Sequence, residues 1–296
     1  MLSDQDASKL LEQAVDMHVH TAPSLFPRSH NDVEALIEAA KYGMAGLVIK
    51  SHEGDTAARA SLANQVQPTR CKAIGSIVLN HFVGGLNPYA VEVCLALGGR
   101  VVWLPTVCAA NHVAYHRTNV GPFHVSASNC CNQLSPISIL DGGRLRSEVI
   151  QTIDLVAKQR AVLCTGHVSQ QEIACLLEQA RKVSPGLRIV ITHPDEYMTR
   201  IPLAVQRGLA ASGAYIEKCL LATVQSWGCA SLDEFVQSIV SIGPEHCILT
   251  TDSGGAGRPS SPAMLQSFIE LALRLGLAAK AIRTMLVDNP HRLLEL

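Results

Sequence analysis

The sequence predicts an α/β fold, a (β/α)8 TIM barrel formed by a single domain over residues 1–296. Three observations lead there. Eight short β-branched runs alternate with longer stretches of helical period along the whole chain. They recur at intervals of about 25 to 32 residues, the size of a βα unit, in every interval but one. The runs are nearly continuous in apolar residues, as parallel strands covered on both faces must be. None is followed by the GxGxxG or phosphate-loop turn of a doubly wound sheet.

In order, the strand candidates are AVDMHVH (14–20), AGLVIKSH (45–52), KAIGSIVLN (72–80) and RVVWLPT (100–106). After a gap come AVLCTGHV (161–168), RIVITHP (188–194), AYIEKCL (214–220) and HCILTTD (246–252). Helix candidates between them include NDVEALIEAAKYG, DTAARASLANQV, SEVIQTIDLVAKQR, SQQEIACLLEQARK and SLDEFVQSIVSIG. Two open on a capping box, Ser169 with Glu172 and Ser231 with Glu234. The exceptional interval, about 55 to 60 residues, follows the fourth strand. Beyond one long helix it holds an insertion, residues 107–143, rich in His, Asn, Ser and Gly. This is expected to form a helix-poor cap over the barrel mouth.

Bulk properties exclude several function classes. The chain has 296 residues, of which 48% are hydrophobic and 17% charged, with a net charge of −1. With no run of like charges, neither nucleic acid nor a membrane is an expected partner. The start, MLSDQDASKLLEQA, is unlike a signal or transit peptide, and no apolar stretch has the length of a membrane span. Ten cysteines lie among apolar neighbours without a CxxC pair, and Cys130–Cys131 is no disulfide element. That usage fits reduced, buried thiols and a cytoplasmic protein. A mean hydropathy of +0.20 and broad apolar helix faces, as in MLQSFIELALRLGLAAKAI, predict a homo-oligomer.

In a barrel every strand ends at one face, where sites are built. The first run ends in His18-Val-His20, whose imidazoles, two apart on a strand, share a face, with Asp16 one step deeper. The second ends in Lys50-Ser-His52, the fifth carries His167, the sixth His193 and the eighth Asp252. The seventh holds Glu217 and Lys218 inside an apolar run. Singly, each has a plain structural explanation: a hydrogen-bonded core histidine, a turn aspartate, a salt-bridged lysine. Together, five His/Asp groups at equivalent strand ends are a costly set to bury unless a cation receives their lone pairs.

These residues resemble the amidohydrolase superfamily of metal-dependent hydrolases. The pattern is HxH after the first strand, His after the fifth and sixth, and Asp after the eighth. The ending DNPHRLLEL is also similar to the tail that follows the last strand in many members. The resemblance implies that His18, His20, His167, His193 and Asp252 are metal ligands, with Asp252 also the proton-shuttling base. One departure matters. The fourth strand, VVWLPT, lacks the lysine or glutamate that bridges two metals in many members. The site then holds one ion, with His193 turned to substrate, or else Lys50 or His52 supplies the missing ligand.

The cofactor expected is one or two divalent ions, zinc first, with manganese, iron or nickel as alternatives. Such an ion lowers the pKa of a bound water from 15.7 to about 7. The hydroxide so formed attacks a carbonyl, and Asp252 passes the proton to the leaving group, with His193 and His52 as further catalytic candidates. Arg28, in the first βα loop, and His112, His116 and Arg117, in the insertion, are candidate substrate contacts, as is Glu217. They suit a small, carboxylate-bearing molecule. Three functions follow in order: hydrolysis of an amide, cyclic amide, imide, lactone or ester; metal-dependent decarboxylation of an unsaturated or aromatic acid; and non-catalytic metal-dependent binding.

Overall fold

The computed structural model describes residues 4–119, 135–228 and 230–296. All eight runs form parallel strands. They are β1 (Val15–His20), β2 (Gly46–Lys50), β3 (Lys72–Ile74), β4 (Ser76–Val78) and β5 (Val101–Trp103), then β8 (Val162–Cys164), β9 (Arg188–Ile191), β10 (Tyr215–Cys219) and β11 (Cys247–Thr250). A short antiparallel hairpin, β6 (Leu140–Asp141) with β7 (Arg144–Leu145), lies between them. The third run divides into β3 and β4 at Gly75, where a Cβ would sit 2.4 Å from the Ala57 Cα. Only glycine lets that strand pass so close to the start of the preceding helix.

The helices between and after the strands are α1 (Asp4–Leu11), α2 (Asp32–Lys41), α3 (Ala57–Val66), α4 (Pro88–Ala96), α5 (Ala110–Thr118) and α6 (Ser147–Lys158). Then come α7 (Gln170–Val183), α8 (Leu203–Ala211), α9 (Leu232–Ile242), α10 (Ser261–Arg274), α11 (Ala279–Arg283) and α12 (Asn289–Leu294). Both expected capping boxes are present, and Asn31 with Glu34 makes a third on α2. The strands run in the order β1-β2-β3 and β4-β5-β8-β9-β10-β11. At the free edge of β1, His20 N donates to the Ser253 carbonyl and Asp252 N to that of His18. The end of β1 therefore lies beside the continuation of β11.

Alternation along each strand sorts the core into two clusters. Val48, Val101, Trp103, Val162, Val190 and Ile248 pack inside, over Leu293 and Leu294 of α12. Leu47, Ile49, Val102, Leu163, Ile189 and Leu249 face the helices. β1 breaks its own alternation. Its pairing with β2 shifts between Asp16 and Val19, an extra residue of the kind that re-aims side chains beside functional sites. Val15 and Met17 lie in the inner cluster and Val19 in the outer one. His18 and His20 therefore both face inward, as expected, but Asp16 does not stand beneath them. It turns toward α10, accepting hydrogen bonds from Ser261 Oγ (2.6 Å) and from Thr251 Oγ1.

The insertion also differs from expectation. Its first part forms the nine-residue α5, a helix absent from the sequence-based candidates, while residues 120–134, Cys130 and Cys131 among them, lie outside the described residues. No helix among the described residues is long and apolar enough to cross a membrane.

Candidate metal centre

At the C-terminal ends of the strands, the ligand atoms of His18, His20 and Asp252 lie within 4.8 Å of one another. Asp252 Oδ1 stands 3.1 Å from His18 Nε2 and 3.0 Å from His20 Nε2. An ion with bonds of about 2.0–2.1 Å in tetrahedral geometry separates its ligands by roughly 3.3 Å. The triad needs only small adjustment to hold one.

Asp252 has φ +49° and His193 φ +26°, left-handed values that non-glycine residues rarely adopt and that concentrate at functional sites. Gly254 follows at φ +118°, where a Cβ would meet the His20 carbonyl oxygen at 1.8 Å. The glycine after Asp252-Ser253 is thus what allows the eighth strand end to cross the first.

Glu217 sets the tautomer of His18. Burial opposes its ionisation, but His18 beside it holds its pKa down at about 2, so it accepts hydrogen bonds only. His18 Nδ1 donates to its Oε1 (2.7 Å), Thr250 Oγ1 donates to the same oxygen (2.8 Å), and His193 N donates to Oε2 (2.9 Å). Its two oxygens are spent on protein partners, so Glu217, expected as a substrate contact, orients His18 and His193 instead.

His18 Nε2 has conflicting neighbours, since Lys50 Nζ lies 2.9 Å from it on the side opposite Glu217's contact with the ring. As an N–H, Nε2 serves Asp252 and meets an ammonium donor to donor. As a lone pair, it accepts from Lys50 and faces the lone pairs of Asp252. A divalent ion would resolve the conflict by accepting lone pairs from His18 and Asp252, and from Lys50 only as the neutral amine. In the metal-free chain burial opposes charge on His18, yet Asp252 and Glu217 outweigh it and raise the pKa to about 9. Burial likewise pushes the Lys50 ammonium down, toward the neutral amine that could ligate. Burial would raise the Asp252 pKa, but His18 and His20 hold it well below the carboxylate range. His20, His52 and His167 are kept neutral chiefly by burial, and His193 is lowered to about 4 for the same reason. Neutral imidazole is the ligand form.

The remaining expected residues are distributed around this triad. His52 Nδ1 is held by Thr106 Oγ1 (2.9 Å), itself fixed by Asn80, with the His52 ring 4.8 Å from that of His20. His167 lies outside both groups of ligating atoms: its Nδ1 pairs with His112 Nδ1 at 2.8 Å. The His116 ring lies tilted against that of His112, 4.4 Å between centroids, while Arg117 is exposed at the end of α5. Asn111 Nδ2 donates to the carbonyls of His167 and Met198, tying α5 to the ends of the fifth and sixth strands. Arg28 Nη2 donates to His20 Nδ1 (3.3 Å). The fourth strand fills the centre with Trp103, whose ring lies 5.7 Å from that of His18 and under Lys50. Lys218 faces outward, ion-paired with Asp195 and over the Phe235 ring.

Sequence reasoning missed Glu196. It is fully buried, its Oε2 lies 3.5 Å from His193 Nδ1, and His193, Glu196 and Asp252 form the second group of ligating atoms. Its signal was a carboxylate three residues beyond a strand-end histidine in HPDE. A β-turn, with Glu196 N donating to the His193 carbonyl (3.2 Å), folds it back. Burial, then Asp252, pushes the Glu196 pKa well up.

Comparison with known structures matches this architecture. One similar fold is an amidohydrolase from Pseudomonas aeruginosa, at 12% identity and TM-score 0.66, over 99% of this chain and 98% of that one. A second is a probable 2-pyrone-4,6-dicarboxylic acid hydrolase from Acinetobacter baumannii with citric acid bound, at 13% and TM-score 0.56, over 96% and 100%. A third is a dihydroorotase from Saccharomyces cerevisiae in complex with 5-fluoroorotic acid, at 14% and TM-score 0.56, over 97% and 85%. The expected likeness to the amidohydrolase superfamily and its TIM barrel is thus present at the level of the fold. No curated protein matches the sequence. One family model does, over residues 13–217, and by that match the chain belongs to the family of unknown function DUF6282.

Proposed function

We propose that this protein is a metal-dependent hydrolase cleaving an amide, cyclic amide or imide, or a lactone or ester, in a small carboxylate-bearing molecule. The observation that carries the reading is the meeting of His18 Nε2, His20 Nε2 and Asp252 Oδ1 at one point, with Lys50 Nζ beside them. Two imidazoles and a carboxylate suit zinc first. A bound divalent ion supplies Lewis acidity to the carbonyl and acidity to the attacking water.

The chain's own residues do the rest. Asp252, kept ionised by the two histidines, takes the proton of the attacking water and returns it to the departing nitrogen or oxygen. Glu217 holds His18 with Nε2 toward the centre. His52, fixed through Nδ1 with its ring 4.8 Å from that of His20, is placed beside the centre to contact the substrate. A ligating His20 carries its proton on Nδ1, which turns the Arg28 contact donor against donor and frees the guanidinium for a substrate carboxylate. The carboxylates bound by two of the similar folds, citric acid and 5-fluoroorotic acid, support that choice.

The wider reading is a single closed barrel, capped by the insertion through α5, in a cytoplasmic homo-oligomer. The β1–β11 hydrogen bonds support closure and the Asn111 and His112 contacts support the cap. Buried free thiols support a reducing compartment, and exposed Leu62, Val66, Val93 and Leu97 support self-association. The test is elemental analysis of the purified protein combined with a screen of carboxylate-bearing amides, imides and lactones. Bound divalent metal with release of a new acid plus amine or alcohol is expected. Carbon dioxide as product, or a chain that turns over without metal, overturns the reading.

A further inference from the structure

We propose that His193, Glu196 and Asp252 hold a second divalent cation, Glu196 supplying from the loop after β9 the carboxylate that the fourth strand lacks. The inference rests on reading His18, His20 and Asp252 as a metal site and goes beyond it in ligand set and stoichiometry. Its geometric basis is that the ligand atoms of the three residues lie within 4.8 Å of one another, and that Asp252 belongs to both triads. One carboxylate therefore serves two ions.

Glu196 carries the argument. Its side chain is fully buried, and among the described residues neither oxygen has a hydrogen-bond partner. An ionised carboxylate left so is among the costliest groups a fold can keep, and native structures answer it with a partner, a proton or a cation. The surrounding backbone holds it where it is. Glu196 pairs with Gly228 in an antiparallel bridge, and Tyr197 N donates to the Trp227 carbonyl. Gly228 in turn sits so close to Ala222 that a Cβ would meet its carbonyl oxygen at 2.0 Å. Two loops are thus pinned together with a buried carboxylate that has no hydrogen-bond partner and whose Oε2 lies 3.5 Å from His193 Nδ1.

His193 is prepared in the same sense. Thr199 Oγ1 donates its only proton to the His193 carbonyl (2.7 Å), so the contact with His193 Nδ1 (3.0 Å) has the ring as donor. The other ring nitrogen then keeps its lone pair. One imidazole with two carboxylates is a harder ligand set than two imidazoles with one, so this site favours manganese more than its neighbour does.

Manganese is therefore the probe. Full-length protein is stripped with a chelator, reloaded with Mn²⁺, desalted, and examined for metal content and by electron paramagnetic resonance. Wild type should hold two ions per chain with an exchange-coupled spectrum, because ions sharing Asp252 are close. Glu196→Gln should hold one ion with an isolated Mn²⁺ signal. Metal-free Glu196→Gln should also melt no lower than metal-free wild type, since it loses a buried carboxylate that no hydrogen bond satisfies. Two ions retained by the variant, or a lowered metal-free melting temperature, overturns the role of Glu196. One ion in wild type overturns the second site and leaves the first standing, whereas no ion at all overturns both.

Discussion

Asp252 is the residue on which the proposed chemistry turns, and its environment separates two roles that are easily confused. As a ligand it needs one oxygen; as a base it needs a carboxylate that stays ionised. Asp252→Asn keeps the shape and a coordinating oxygen, and it loses the base. The variant should retain metal while kcat falls by about 100- to 10,000-fold, with less effect on KM. Turnover within a few-fold of wild type would reduce Asp252 to a structural ligand. Glu217 makes a complementary case, since it touches no site from which substrate could displace His18, Thr250 and His193. Glu217→Gln should weaken metal affinity by about 10- to 100-fold through the loss of His18 orientation. Unchanged affinity by calorimetry would remove that orienting role.

At the scale of elements, the bulge in β1 and the cap of α7 do the positioning. The bulge brings His18 and His20 to the inner side together while Asp16 ties the strand to Thr251 and Ser261. The α7 capping box does two jobs. Glu172 Oε2 accepts from Ser169 N and Oγ, and its Oε1 accepts from Ser138 Oγ and Ile139 N at the end of the insertion. The box on α9 is exposed and makes no such second contact among the described residues. Ser231→Ala should therefore cost about 1 kcal/mol. Glu172→Ala should cost about 2 to 4 kcal/mol, because it also leaves buried donors unanswered. Denaturant midpoints compare the two directly, and equal costs would mean that the tether to the insertion carries no energy.

For the whole molecule, the proposed ligands come from β1, β9 and β11 and their continuations, so a bound ion would cross-link segments more than 200 residues apart in the chain. The unfolded chain has no such site, and binding free energy becomes stability. At a hundredfold excess of free metal over its Kd the gain is about 2.7 kcal/mol. Chelation should then lower the melting temperature by about 5 °C in a chain of this size. A melting curve indifferent to chelator and to added zinc would speak against any resident metal.

Period and spacing were enough for the eight strands and for the boxes at Ser169 and Ser231, because alternation and capping are local properties. The same holds for His193 and Asp252 at their strand ends, and for His18 and His20, whose i, i+2 spacing puts them on one face while the bulge turns that face inward. Asn31, outside the S-x-x-E pattern, was legible only once its side chain was seen to cap α2. What the tertiary structure alone decided is everything that depends on how neighbours share space. The bulge separated Asp16 from His18, although their spacing put both on one side. His112 took His167 away from the ligand atoms, and Trp103 filled the position where a bridging group was sought. Glu217 was turned from a presumed substrate contact into an orienting group by three partners from β1, the end of β9 and β11. Glu196 became a ligand candidate only through a turn and a bridge to the next loop. Residue identity and period act along the chain, whereas hydrogen-bond partners and ligand distances are set by packing across it.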